Sequence, residues 1–300
     1  CVCLQFHVST AETDKRPLEN GVTEIYLNSE ISALLAGSYD LHVHASPDTE
    51  ERRMDVLETA KSAYEAEMGG FVLKSIEYPT GPISYVLNKM YPGLDIFGSI
   101  SLDKSIGGIN PDAVEIATQL GAKAVWMPIF REGKNKVKVA PQSPSSILDE
   151  SGELTKKVTD VLEIISNKNI LLGSGNLPIE ETILLFEKAR EIGVHRMIAS
   201  YSHGKASIEE QNKIISLGAY LEYPFLSCMP SLGSTTPEKM KREIKTIGVS
   251  HCIITTNFGQ SINPPPAEGM RMAIGHLIIA GLEINEIETL VKTNPIGLIK

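Results

Sequence analysis

Two histidines one residue apart, His42 and His44, close the short apolar run Tyr39-Asp40-Leu41-His42-Val43-His44. Alternate residues of an extended strand share a face, so both imidazoles can be aimed at one point, which is what a divalent ion needs. The same pattern also arises by chance on ordinary strands, and its placement decides what it means. Other residues able to do chemistry end other apolar runs. Lys74 closes Phe71-Val72-Leu73-Lys74, with Glu77 and Tyr78 just beyond, and Asp103 follows Ser99-Ile100-Ser101-Leu102. Trp126 ends Ala124-Val125-Trp126, Asn176 follows Gly173-Ser174-Gly175, and His203 follows Ser200-Tyr201-Ser202. Glu222 interrupts Tyr220-Leu221-Glu222-Tyr223, and Asn257 follows Thr255-Thr256. Lys74 reads as a cation for a substrate carboxylate, as a carbamylated bridge between metals, or as a lysine paired with Glu77 or Glu222. His203 reads as a ligand or base, or as a loop histidine. Trp126 reads first as a wall of a site.

These runs recur along the chain. Strands are predicted at 39–44, 71–75, 95–100, 123–127, 169–173, 196–200, 219–223 and 252–256. They are apolar nearly throughout, as parallel strands covered on both faces must be. Helical patterns fill the intervals, at about 54–68, 83–90, 111–120, 154–167, 179–192, 208–217, 237–247 and 267–280, with a last one at 285–293. Asn110-Pro111 and Thr236-Pro237 read as N-cap and Pro starts, and Gly193 as a left-handed helix stop. Eight strand–helix units in 300 residues predict an α/β chain folded as a single (β/α)8 TIM barrel. The alternative is an open doubly wound sheet, whose nucleotide-binding form is disfavoured because no GxGxxG follows the first strand. In a barrel the C-terminal strand ends converge, so the residues named above gather at one mouth. His195 and His251 precede strands and belong to the opposite, structural end, while His276 and Cys252 read as packing residues.

Composition narrows the partners. Lys and Arg number 28 against 37 Asp and Glu, a formal charge of −9. A chain of pI ≈ 5.4 is a poor match for nucleic acid or for a polybasic membrane anchor. No stretch approaches the ~20 apolar residues of a membrane span. The four cysteines, Cys1, Cys3, Cys228 and Cys252, contain no CxxC pair and fit a reducing compartment, so a cytoplasmic location is expected. The chain opens on Cys1 with no basic and apolar leader pattern, and this start reads as truncated or processed. Residues 1–38 are expected to form a partly disordered N-terminal extension and 39–300 the barrel domain. The irregular stretch 131–152, with Lys134, Lys136 and Lys138, is a candidate lid or a plain solvated loop.

Asp40-Leu41-His42-Val43-His44 at the opening of a barrel of this length resembles the amidohydrolase superfamily of metal-dependent hydrolases. Further segments resemble one amidohydrolase-related subfamily: Leu73-Lys74-Ser75, Tyr78-Pro79-Thr80, Gly107-Gly108-Ile109-Asn110-Pro111, Ala113-Val114-Glu115 and Val125-Trp126-Met127-Pro128. Phe258-Gly259-Gln260, Asn263-Pro264-Pro265-Pro266-Ala267-Glu268-Gly269 and Asn294-Pro295 carry the resemblance to the end, over roughly 39–300. It implies a (β/α)8 barrel, one or two divalent metals, and a metal-activated water that attacks an amide, ester or related bond. It also marks departures. The superfamily places a histidine at the end of strand five, where this chain has Asn176, and an aspartate at the end of strand eight, where it has Asn257. His203 matches the strand-six histidine within a residue or two. Where the subfamily shows a histidine after Lys74, this chain has Ser75, and strand four presents Trp126-Met127-Pro128 in place of a lysine.

Two readings follow. In the first, the chain is a divergent metal-dependent hydrolase of a small polar substrate. His42, His44 and His203 hold one divalent ion, zinc before manganese or iron. Glu77 is the general base, or His203 if it is not a ligand. Lys74 binds a substrate carboxylate or the oxyanion, Asn257 takes the strand-eight catalytic position, and Trp126, Asn176 and Asp103 meet the substrate. Neutral Asn is a poorer zinc ligand than imidazole or carboxylate and cannot take a proton from water. In the second reading, the barrel has lost its metal with the strand-five His and strand-eight Asp, and binds a small ligand without catalysis. Both readings expect a small-molecule partner, no nucleic acid and no membrane, with a homo-oligomer left open.

Overall fold

In a computed structural model, which describes residues 22–129, 146–200 and 206–300, the apolar runs form eight parallel strands in chain order around one sheet. They are β1 (Tyr39–Val43), β2 (Gly70–Leu73), β3 (Asp95–Ser101), β4 (Ala122–Trp126), β5 (Leu171–Gly173), β6 (Met197–Ala199), β7 (Tyr220–Pro224) and β8 (Cys252–Thr255). Each overlaps the run predicted for it, and the architecture is the predicted single (β/α)8 barrel. The seam between β8 and β1 is closed just past the strand ends, where Val43 bridges Phe258 in parallel and the His44 N–H donates to the Phe258 carbonyl at 2.8 Å.

The helices are α1 (Val22–Leu35), α2 (Val56–Glu65), α3 (Gly81–Met90), α4 (Pro111–Gln119), α5 (Lys156–Lys168), α6 (Ile179–Ile192), α7 (Ile208–Ser216), α8 (Pro237–Ile247), α9 (Pro266–Ile279), α10 (Ile284–Glu288) and α11 (Asn294–Ile299). Their starts are chemically marked. Asp55 and Ser207 each make a reciprocal capping box with a glutamate three residues on, and the Asn110 and Thr236 side chains accept from the backbone N–H three residues on. Gly193 stops α6 at φ 98°. Helix α1 has no counterpart among the predicted helices. Its apolar residues are spread around the axis instead of forming one stripe, so no helical period stands out. Its Ile31, Leu34 and Leu35 are nevertheless buried, with Ile31 resting against Gly275 of α9.

Two apolar layers result. Leu41, Val72, Ala124, Trp126, Leu171, Ile198 and Ile253 fill the barrel, and Leu298 and Ile299 of α11 join them with Tyr39. A larger cluster lies between strands and helices, with Val43, Phe71, Leu73, Val125 and Leu172 facing outward to it. No helix among the described residues is long and apolar enough to cross a membrane. His7, Cys1, Cys3, His203 and most of the candidate lid lie outside the described residues.

Candidate active site

The site is built where β1, β2, β4, β7 and β8 end. The pairing of β1 with β2 shifts register between Asp40 and Val43, the interval that holds His42. The His42 ring is fully buried, with Nδ1 2.6 Å from Oε1 of Glu222 on β7 and Nε2 3.2 Å from Nζ of Lys74 at the end of β2. Thr255 of β8 donates its hydroxyl to the same Glu222 oxygen at 2.7 Å. An ammonium has donors only, and a carboxylate only acceptors. The network therefore assigns the His42 proton: Nδ1–H donates to Glu222, and the Nε2 lone pair accepts from Lys74.

Burial and neighbouring charge tune each member. Burial, and then the Lys74 charge, lower the His42 pKa and keep its ring neutral. Burial pushes the Glu222 carboxyl up, but the pull of His42, its hydrogen bond and Lys74 outweigh this and hold it at about 2. Burial lowers Lys74 to about 8, against the opposing influence of Glu222 and Asp103. The outcome is a carboxylate, a neutral imidazole and a lysine that is mostly charged at neutral pH, in one buried line.

Trp126 forms the wall of this line. The Lys74 ammonium lies 4.2 Å from the indole centroid, and the His42 ring stacks on the indole at 5.4 Å with 26° between planes. A cation on an indole face gains about 0.5–2 kcal/mol, most when it is desolvated. Gly173, paired with Trp126 across β4 and β5, makes room for the ring: a Cβ there would stand 2.0 Å from Trp126 Cε3. The His44 ring is 5.2 Å from that of His42, and burial, with His42, Arg52 and Lys74 nearby, holds its pKa well below the usual histidine value. Among the buried polar atoms of the described residues that have no hydrogen-bond partner are His44 Nδ1, Trp126 Nε1 and Ser101 Oγ.

The remaining sequence candidates make contacts of their own in the surrounding loops. Glu77, the expected base, accepts from Thr49 Oγ1 at 2.6 Å and from Ser75 Oγ at 3.2 Å in the loop after β2. Asp103 accepts from the Ile129 N–H at 2.9 Å, tying the loop after β3 to the one after β4. Asn176 is half-buried in the loop after β5, its N–H donating to the Pro128 carbonyl at 3.3 Å. Asn257 is buried at the end of β8 in the left-handed region, φ 53°, where Asn is among the better tolerated residues. His203 lies outside the described residues. Glu222 was readable as a carboxylate for Lys74 or beside the histidines of a metal set; in the fold it meets His42 and Thr255. Asp40 belongs to the first-strand motif, which gives it no role of its own. The signal for both is a lone acid in an apolar strand, which must be paired or protonated.

A divalent ion does not fit the described residues as they stand. Among them no group of three or more His, Cys, Asp or Glu could hold one. His42 offers neither nitrogen, since Nδ1 carries the hydrogen bonded to Glu222 and Nε2 is taken by Lys74. Only His44 Nδ1 is left as an unpartnered imidazole nitrogen of the pair.

Among the solved structures similar to this barrel are three that match it over most of both chains. They are the probable dipeptidase PvdM from Pseudomonas aeruginosa (11% identity, 91% of this chain and 98% of that one, TM-score 0.62), an amidohydrolase from the same organism (12%, 91% and 98%, 0.62), and the phosphotriesterase homology protein from Escherichia coli (10%, 88% and 99%, 0.62). At these identities the likeness is one of fold, and at that level the resemblance to amidohydrolase barrels is borne out. No curated protein matches the sequence. Residues 37–222 match the Family of unknown function (DUF6282), and the chain belongs to that family.

Proposed function

We propose that this member of DUF6282 is a divergent hydrolase of a small polar substrate, working at the C-terminal mouth of its barrel. The observation that carries this reading is the buried Glu222–His42–Lys74 line. Three ionisable groups from separate strands are held together where such barrels gather their chemistry, with their pKa values pushed apart. The fold likeness to a probable dipeptidase and to an amidohydrolase supports hydrolysis of an amide-like or related bond.

The chain's own groups supply the steps. Lys74 donates to the substrate carbonyl oxygen and stabilises the charge that develops on it. In turning to the substrate it frees His42 Nε2, which accepts a proton from the attacking water. Glu222 holds the opposite nitrogen as N–H and stabilises the imidazolium, as the acid of a catalytic triad does. His42 then returns the proton to the leaving group. The divalent ion expected from the resemblance enters none of these steps.

A second reading, a barrel that binds a small ligand without catalysis, is favoured by the neutral Asn176 and Asn257 at the ends of β5 and β8. One experiment separates the two. Chelator-treated full-length protein is assayed against small amides, lactones and esters beside Lys74→Met. The hydrolase reading expects turnover that falls by about 10²–10³-fold in the variant, the range for loss of one oxyanion donor. Turnover that Lys74→Met leaves unchanged contradicts it. Binding of a panel compound without turnover, seen as a shift in Trp126 fluorescence, supports the second reading.

A further inference from the structure

We infer that the Lys74 side chain takes the place of a metal ion in this barrel, so that the mouth carries its positive charge on the chain itself and accepts a divalent ion only when that side chain is removed. The inference rests on the reading of this mouth as the working site.

Three contacts make the position a cation site. The first is the His42 Nε2 lone pair, 3.2 Å from Nζ. This is the atom left to an ion once Nδ1–H is committed to Glu222, and it has room for one partner. The second is the Trp126 face, 4.2 Å from Nζ. An indole attracts an ammonium through its quadrupole but has no lone pair to give a metal, since its nitrogen only donates. The third is Glu222, which reaches the cation through His42 and supplies the buried negative charge that balances it.

The geometry is specific to a side-chain cation. Trp126 fits only because Gly173 carries no Cβ. With the indole against both His42 and Lys74, the ring fills the space that further ligands of an ion would need. Lys74 is fully buried, so its charge is not placed there for contact with solvent. Burying it costs stability that a plain apolar residue would not. His44 completes the picture: its Nδ1 is buried without a hydrogen-bond partner beside the His42 ring. Removing the lysine amine would leave the His42 Nε2 lone pair without its partner, with the unpartnered His44 Nδ1 on the neighbouring ring.

The test reads metal, not turnover. Full-length protein is purified without a histidine tag, its metal content is measured by elemental mass spectrometry, and zinc is titrated calorimetrically into chelator-treated wild type, Lys74→Ala, Lys74→Met and Lys74→Ala/His42→Ala. Wild type is expected to hold no stoichiometric metal as purified. Either lysine variant is expected to bind zinc about 10–100-fold tighter than wild type, the scale of metal-site alterations, and the gain is expected to vanish in the double variant. Lys74→Met keeps most of the side-chain volume and serves if Lys74→Ala does not fold, with Trp126 fluorescence reporting the native state. Stoichiometric zinc in wild type that is lost on His42→Ala/His44→Ala overturns the inference. So do folded lysine variants that bind zinc no better than wild type. A negative hydrolysis panel leaves either result unchanged, so failure of the hydrolase reading is seen separately.

Discussion

Thr256, just past β8, donates twice to Asp40 on β1, from its N–H at 3.1 Å and from its hydroxyl at 2.5 Å. The His42 N–H donates to the same carboxyl at 3.1 Å. Side chain thus meets backbone across the seam that strand pairing alone closes only past the strand ends. Asp40 is fully buried, and burial raises its pKa to about 7 in spite of these hydrogen bonds. Between the ordinary value of 3.8 and about 7 the folded chain keeps a proton that the unfolded chain has released. Its contribution to stability is therefore complete below the lower value and is lost as pH rises through the upper one. Asp40→Asn keeps one acceptor and gains a donor for Thr256. It is expected to flatten this part of the stability profile, which denaturant titrations between pH 5 and pH 8 would measure.

Glu222 works in the opposite sense. Its folded pKa, about 2, lies below its ordinary 4.5, so its contribution is present above the latter and lost as pH falls through the former. Removing one partner of a buried pair costs about 3–5 kcal/mol because the other is left uncompensated. Glu222→Ala is expected to cost that much at pH 7 and much less near pH 3, measured by urea unfolding. A loss independent of pH would assign Glu222 to packing alone.

Gly173→Ala places a methyl carbon against the Trp126 ring. Overpacking of this kind costs about 1–3 kcal/mol. Trp126 is the only tryptophan of the chain, so its emission reports the site directly. The variant is expected to be less stable with a shifted emission spectrum. An unchanged spectrum would mean that the indole does not lie against β5.

Asn257→Asp restores the acid that the resemblance expects at the end of strand eight. While Lys74 holds His42 Nε2, this change alone is expected to leave zinc binding unaltered, and to tighten it only when combined with Lys74→Ala. Calorimetric zinc titration of the single and double variants measures both.

Much of this arrangement was legible in the chain. His42, His44, Lys74 and Trp126 were placed together because each ends an apolar run, and parallel strands in a closed barrel bring such ends to one rim. The helix boundaries followed from caps such as Thr236-Pro237, whose chemistry is local. What distance decides was not legible. Three readings were open for Lys74, and the side chain meets His42 because β1 and β2 are neighbours, while Glu77 is drawn to Thr49. Nor was it legible that the Asp103 carboxyl accepts the Ile129 N–H and ties two loops together. Glu222 is 180 residues from His42, and only closure of the barrel makes them partners.

The order of protons along Glu222–His42–Lys74 is the centre of the proposed chemistry, and the ¹⁵N spectrum of the His42 ring from pH 5 to pH 8 tests it most directly. A ring that is neutral with its hydrogen on Nδ1 at neutral pH, and that protonates only below the ordinary histidine value, is the expected result. A ring that protonates near the ordinary histidine value, or that carries its hydrogen on Nε2, would contradict it.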